Sequence, residues 1–94
     1  MKCKEQSALQ KALGDRVRQL RLKRGYSQEH FADQCGVHRT FMGTIERGET
    51  NISFQNLTKV ASGLNVTLST LLSGIERKAD KIAKEIEKTK SRSH

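Results

Sequence analysis

The sequence contains little of what several protein classes require. Its 94 residues include no tryptophan, no proline, one tyrosine and two cysteines. No apolar run approaches the roughly 18 residues of a membrane-spanning helix, and no apolar segment typical of a signal peptide follows the first residues. Two cysteines allow one disulfide at most, and without an export signal reduced thiols are expected. We therefore expect a cytoplasmic protein that makes no membrane contact.

Signals for strands and for enzyme sites are equally scarce. No Asn-Gly or Asp-Gly dipeptide separates alternating runs, no Ser/His/Asp or Cys/His set forms a motif, and no glycine-rich phosphate loop is present. The cysteines and two histidines (Cys3, His30, Cys35 and His38) match no zinc-site spacing. The sequence thus predicts no enzymatic activity, no metal or other cofactor, and no small-molecule ligand.

Positive charge is in excess but unevenly distributed. Eighteen Lys and Arg residues oppose ten Asp and Glu residues, giving a net charge of +8. The net charge is +6 over residues 1–25, −1 over residues 26–74 and +3 over residues 75–94. Such an excess suggests a polyanionic partner, nucleic acid or an anionic surface. Because the charge lies at the two ends, it does not by itself locate a binding face.

Apolar residues recur at helical spacing and predict an all-α domain over residues 7–74. Leu9, Leu13, Val17 and Leu20 share one face of a first helix that Gly25 ends. The predicted later helices are residues 28–35 with Ser27 as N-cap and Gly36 as stop, a third from His38 or Arg39 to Gly48, a fourth capped by Ser53, and a fifth capped by Ser69 and stopped by Gly74.

Residues 75–94 form a charged C-terminal segment with a narrow apolar stripe. Ile75, Ala79, Ile82 and Ile86 follow 4-3-4 spacing, which suits a sixth amphipathic helix or a continuation of the fifth. Three interpretations stay open: a half-formed solvated helix, a helix packed on its own domain, or a seam between two chains.

Residues 28–47 meet the physical requirements of a helix-turn-helix. Ala32 is small where the two helices cross, and Gly36 tolerates the positive φ of the turn. The inward positions are apolar, namely Phe31, Cys35, Val37, Met42 and Ile45. The outward positions of the second helix are short or polar, which suits entry into a DNA groove.

These residues resemble a known family. Gln28-Glu29, Ala32, Gly36-Val37 and Ile45-Glu46-Arg47-Gly48 are similar to the Cro/cI-type helix-turn-helix of phage repressors. The resemblance extends over about residues 10–74 and implies a compact five-helix, lambda-repressor-like domain. Arg39-Thr40-Phe41-Met42 and Asn51-Ile52-Ser53 look most like the small stand-alone controller proteins of restriction–modification systems.

The resemblance also implies roles for individual residues. It implies base reading by Arg39, Thr40 and Thr44, phosphate contacts by Ser27, Gln28 and Arg47, and a buried ion pair between Arg21 and Glu46. Further candidates for DNA contact are Arg18, His38 and Gly43. His38 suits either a DNA contact or a helix cap, and Phe41 suits packing against the neighbouring helix better than contact with a thymine methyl.

The sequence therefore predicts a transcriptional regulator that binds double-stranded DNA as a homodimer on a palindromic operator. The resemblance implies autoregulation, and RNA polymerase is a candidate partner. The expected dimer interface comprises Leu68, Leu71, Leu72, Ile75 and Ile82. An antitoxin that represses its own promoter and a protein-interaction adaptor with the same fold are the alternatives.

Overall fold

The fold is a six-helix assembly without strands across residues 3–92. In the computed structural model the backbone is described for residues 3–92 and the side chains for residues 7–85. The helices are α1 (Cys3–Lys23), α2 (Gln28–Cys35), α3 (Arg39–Glu46), α4 (Phe54–Leu64), α5 (Leu68–Leu72) and α6 (Ile75–Arg92). None of the described helices is long and apolar enough to span a membrane. The predicted all-α class is confirmed.

Short polar caps begin several helices where the sequence predicts them. The Oγ of Ser27 accepts a hydrogen bond from the His30 N–H at 3.1 Å, and the Oγ of Ser53 accepts one from the Asn56 N–H at 3.1 Å. Gly36 ends α2 in the left-handed region at φ +73°. Each cap satisfies a backbone group that the helix end leaves without a partner.

The predicted cap of α5 is wrong by two residues. Thr67, not Ser69, is the N-cap, because its Oγ1 accepts a hydrogen bond from the Thr70 N–H at 3.1 Å. Asn65 already ends α4 at φ +57°. Because α4 ends at Asn65, α5 begins at Leu68, two residues earlier than predicted. Ser69 therefore lies inside α5, where its hydroxyl is 3.2 Å from that of Thr67.

The main hydrophobic core lies between α1, α2, α3, α4 and α5. Its fully buried larger side chains are Val17, Phe31, Met42, Val60, Leu64 and Leu71. Leu71 has no exposed surface, so it cannot form part of a dimer interface as expected from the sequence. Leu68 and Leu72 are half-buried against the same core. The expectation failed for Leu71 because helical spacing alone does not show that the core covers this side of α5.

Helix α6 packs along the N-terminal half of α1. A second apolar cluster joins the two helices and comprises Ala8, Ala12 and Ala79, with Leu9, Ile75, Ile82 and Ala83 at its edge. The Nζ of Lys78 lies 3.0 Å from Oδ2 of Asp15, which adds an ion pair across the contact. Over residues 75–85 the segment therefore packs on its own domain. The side chains of Cys3 and Ile86, and residues 93–94, lie outside the described residues.

Gly14 allows α1 and α3 to approach closely. A Cβ at this position would collide with the carbonyl oxygen of Ile45 and would lie 2.6 Å from that of Glu46. Both partners are backbone atoms, which cannot move aside as a flexible side chain would. Gly14 therefore fixes the distance between α1 and the C-terminal end of α3.

We expect Gly14→Ala to destabilise the protein even though alanine has the higher helix propensity. Overpacking costs about 1–3 kcal/mol, against a gain of about 1 kcal/mol from propensity. Thermal unfolding followed by circular dichroism measures the net effect, with the exposed Gln19→Ala on the same helix as control. A melting temperature equal to or above that of the control would contradict the proposed close contact.

Candidate nucleic-acid interface

Helices α2 and α3 form a helix-turn-helix whose second helix presents one face to solvent. Gly36 makes the turn, and the Val37 N–H donates to the Ala32 carbonyl at 3.0 Å. Met42 and Ile45 are buried in the core and fix the rotation of α3 about its axis. The opposite face of α3 is therefore directed outwards, with exposed side chains at its N-terminal end.

The first turn of α3 is held by local hydrogen bonds. His38 is its N-cap, and Nδ1 of His38 accepts from the Thr40 N–H at 3.1 Å. This supports the capping role that the sequence left open. The hydroxyl of Thr44 donates to the Phe41 carbonyl at 2.7 Å, which leaves its methyl group and the two acceptor lone pairs of its oxygen for an outside contact. Phe41 is half-buried against the core, as the sequence favoured.

Arg39, the candidate base-reading arginine, is exposed at the start of α3. Its Nη1 lies 3.6 Å from Oε2 of Glu29 on α2, and both side chains are mostly exposed. An exposed ion pair of this length contributes little to stability. The guanidinium is therefore free to exchange the carboxylate for a guanine edge, where it can donate two parallel hydrogen bonds. Thr40 lies beside it and is also exposed.

Gly43 makes room for two of the candidate DNA-binding side chains. A Cβ at residue 43 would lie 3.1 Å from Nη1 of Arg47 and 3.6 Å from Oε1 of Gln28. Gly43 is buried because the guanidinium of Arg47 covers it. The Nε of Arg47 also donates to Oε1 of Glu49 at 3.0 Å. A direct contact between Gly43 and DNA would require Arg47 to move.

An ion pair at the base of α3 ties three helices together. Arg21 donates to Glu46 through Nε at 2.8 Å and through Nη2 at 3.0 Å, and its Nη1 donates to the Tyr26 carbonyl at 2.8 Å. The side chains are 10% and 4% exposed, respectively. The amide Nε2 of Gln28 also donates to Oε1 of Glu46, at 3.4 Å. The network thus connects α1 and the start of α2 to the end of α3.

The remaining candidates are less constrained. Ser27 caps α2, and Gln28 begins that helix, so both lie where free N–H groups and the helix dipole favour an anion. Arg18 is exposed on α1. Glu29 and Glu49 were not predicted to matter, yet each pairs with an arginine of the site. The sequence places Glu29 in the first turn of α2 and Glu49 three residues after α3, but it does not show where either side chain points.

Cys35 belongs to the core. Burial raises the pKa of its thiol to about 11, from an ordinary value of 9.0, because the thiolate would lose its hydration. At neutral pH the group is therefore the protonated thiol, which is a poor nucleophile. A Cβ at Gly63 would collide with its sulfur, so Cys35 fills the contact between α2 and α4.

The sequence of this region matches a known protein family. The Helix-turn-helix family matches residues 17–71, more than half of the chain. Control protein C.MunI from a Mycoplasma species is 45% identical over 65 residues, covering 68% of this chain and 88% of that protein. Control protein C.BamHI from Bacillus amyloliquefaciens is 45% identical over 60 residues, covering 63% of this chain and 74% of that protein.

A solved structure agrees with these sequence matches. The restriction-modification controller protein C.AhdI from Aeromonas hydrophila superposes with a TM-score of 0.64 at 38% identity. The alignment covers 65% of this chain and 92% of C.AhdI. The shared part thus includes nearly all of that controller protein, whereas about a third of the present chain lies beyond it.

We expect Glu46→Gln to destabilise the protein by about 3 kcal/mol, because breaking a buried pair leaves an uncompensated charge on Arg21. Thermal and urea unfolding measure the loss. Glu76→Gln provides a matched control, since Glu76 is an exposed acid at the start of α6. Equal changes for the two variants would mean that the Arg21–Glu46 pair contributes no more than a surface charge.

Proposed function

The chain belongs to the Helix-turn-helix family of transcriptional regulators, and from this premise we propose that it binds a palindromic operator as a homodimer. Each subunit lays α3 in a major groove, and the two recognition helices of the dimer lie about 34 Å apart, one turn of B-DNA. The similarity to control proteins supports a role as a restriction–modification controller that regulates its own promoter.

The observation that carries this proposal is that one face of α3 is exposed to solvent while the opposite face is buried and held by the core. Arg39 and Thr40 are exposed, whereas Met42 and Ile45 are buried and Glu46 is held by Arg21. A recognition helix needs both properties, because base readout depends on side chains held in register with the groove. We assign base reading to Arg39, Thr40 and Thr44, and phosphate contact to Ser27, Gln28 and Arg47.

The acidic partner of Arg39 favours discrimination between DNA sequences, whereas Glu49, beside the phosphate candidate Arg47, acts on all sequences alike. In the free protein Glu29 lies 3.6 Å from Arg39, and Glu49 accepts a hydrogen bond from Arg47 at 3.0 Å. A DNA group that binds either arginine must take the place of the carboxylate. A phosphate that comes close without displacing the carboxylate is repelled by it. Residues 26–74 carry a net charge of −1, so α2 and α3 supply little sequence-independent attraction.

Dimerisation is proposed to use α5 and the start of α6. Leu68, Leu72 and Ile75 remain half-exposed on neighbouring turns, and their remaining apolar surface would be covered by a second copy. The antitoxin alternative gains no support, because the apolar stripe of residues 75–85 packs on α1 and is not free to wrap a toxin.

We expect Arg39→Ala to lower affinity for the preferred operator by about 1–3 kcal/mol and to relax base choice at one position per half-site. The operator is first obtained by selection from random DNA, and affinities are then measured on operator and random duplexes. Equal losses on both duplexes would make Arg39 a phosphate contact.

Arg47→Ala serves as the contrasting variant. We expect it to weaken all sequences similarly and to reduce the slope of log K against log salt by about one unit per subunit. Binding is measured across a salt series on the same two duplexes. An effect confined to the operator would instead assign Arg47 to base reading.

The dimer is tested by sedimentation at tens of micromolar protein. We expect a monomer–dimer equilibrium that Leu72→Glu shifts towards monomer, because a charge would be buried at the interface. Phe54→Glu, at an exposed apolar residue of α4, is the control. A protein that remains monomeric with and without operator would contradict this part of the proposal.

A further inference from the structure

Arg16 of α1 binds the C-terminal end of α5. Its Nη2 donates to the Thr70 carbonyl at 2.8 Å, and its Nε donates to the Leu71 carbonyl at 3.3 Å. Both carbonyls belong to the last turn of α5, where a helix leaves carbonyl groups without intrahelical donors and where a positive charge is favourable. Because the two donors belong to one planar guanidinium, they restrain both the distance and the angle between α1 and α5.

Helix α5 depends on this contact because it is short. It has five residues, little more than one turn. Leu71 anchors it in the core with no exposed surface, whereas Leu68 and Leu72 are only half-buried. The cap at Thr67 lies within the first turn of α5 and does not connect this helix to α1. The two hydrogen bonds from Arg16 do connect them, and they act at the opposite end of α5.

A second arginine of α1 holds the recognition helix. Arg21 donates to Glu46 at the end of α3 through Nε and Nη2. Arg21 follows Arg16 by five residues, which corresponds to about 140° around α1 and about 7.5 Å along its axis. One helix therefore binds α3 on one side and α5 on another, each through a guanidinium that makes two hydrogen bonds to it. The position of α5 relative to α3 is thus restrained through α1.

We propose that Arg16 is a positioning residue that sets the spacing of the half-sites that the protein accepts. This role rests on the proposed homodimer, in which α5 and the start of α6 meet a second copy while α3 enters the groove. Because the dimer is two-fold symmetric, a change in the angle between α1 and α5 displaces both recognition helices. One base pair more or fewer between the half-sites moves one of them by about 3.4 Å and rotates it by about 35° around the DNA axis. A dimer with a fixed α1–α5 contact therefore discriminates against such operators, and a dimer with a loose contact accepts them.

The test compares operators that differ only in half-site spacing. The operator selected from random DNA, and versions with one base pair inserted or removed between its half-sites, compete with labelled operator for the full chain. A duplex with a single half-site reports binding by α3 alone. Competition is run at tens of micromolar protein, and sedimentation establishes the oligomeric state of each variant at the same concentration.

Two variants of Arg16 and one control are compared with the native protein. Arg16→Met keeps much of the aliphatic chain and removes the donors, and Arg16→Lys keeps the charge but donates from one nitrogen only. Lys59→Met removes a positive charge at an exposed residue of α4 and controls for the lost charge.

We expect the native protein to bind altered spacings at least about 50-fold more weakly than the operator, because both half-sites cannot be occupied together. Arg16→Met is expected to reduce this ratio at least about fivefold, with a smaller reduction for Arg16→Lys and none for Lys59→Met. Binding of Arg16→Met to the single half-site should stay within about twofold of that of the control, because Arg21 still holds α3.

Three results would overturn the role of Arg16. An unchanged ratio for Arg16→Met, beside a native protein that discriminates between spacings, would contradict this role and leave the homodimer in place. Equal binding of the native protein to all three spacings would contradict the dimer on a palindromic operator and, with it, the role of Arg16. If both Arg16 variants were monomeric, or lost binding to the single half-site, Arg16 would maintain the interface or the fold and would not set the spacing.

Discussion

The position of the recognition helix depends on the ion pair between Arg21 and Glu46. Two hydrogen bonds of 2.8 and 3.0 Å join the guanidinium to the carboxylate, and both groups are almost fully buried. Burial of two charges is favourable only when geometry is good and the remaining donors are satisfied. Here the Tyr26 carbonyl accepts from the third nitrogen of Arg21, so the charge pair is embedded in a complete network.

This constraint acts together with a steric one. Gly14, two turns before Arg21 on α1, lets α1 lie against the backbone carbonyls of Ile45 and Glu46, while the carboxylate of Glu46 reaches Arg21. Gln28 then reaches the same carboxylate from the start of α2. The buried side of α3 is therefore held rigidly. This fixes the backbone from which the exposed side chains of the opposite side extend. Arg39 and Arg47 extend from this base, and each lies beside a carboxylate, Glu29 and Glu49 respectively.

Much of this arrangement follows from the sequence because it depends on local signals. The cap at Ser27, the turn at Gly36 and the helical phase of Met42 and Ile45 each involve residues close together in the chain. The bounds of α2 were therefore predicted without error. The choice between Thr67 and Ser69 as cap of α5 was wrong, because both residue types suit the role and the early end of α4 decides between them.

The features that escaped prediction involve distant residues. Gly14 has no local signal for its contact with the carbonyl groups of α3, and Glu49 does not reveal from sequence that it pairs with Arg47. The spacing of apolar residues in 75–86 predicts an amphipathic helix, but it does not show which part of the protein packs against the apolar side. The small residues Ala8 and Ala12 on α1 provide that surface for α6. Burial of Leu71 similarly depends on contacts with helices far away in sequence.

A double-mutant cycle tests the central claim most directly. The free energy of unfolding is measured for Arg21→Met, for Glu46→Leu and for the double variant. If the pair positions α3 as described, the double variant is more stable than the sum of the single losses implies, with a coupling of about 2–3 kcal/mol. Additive losses would show that Arg21 and Glu46 act independently, and would contradict the account.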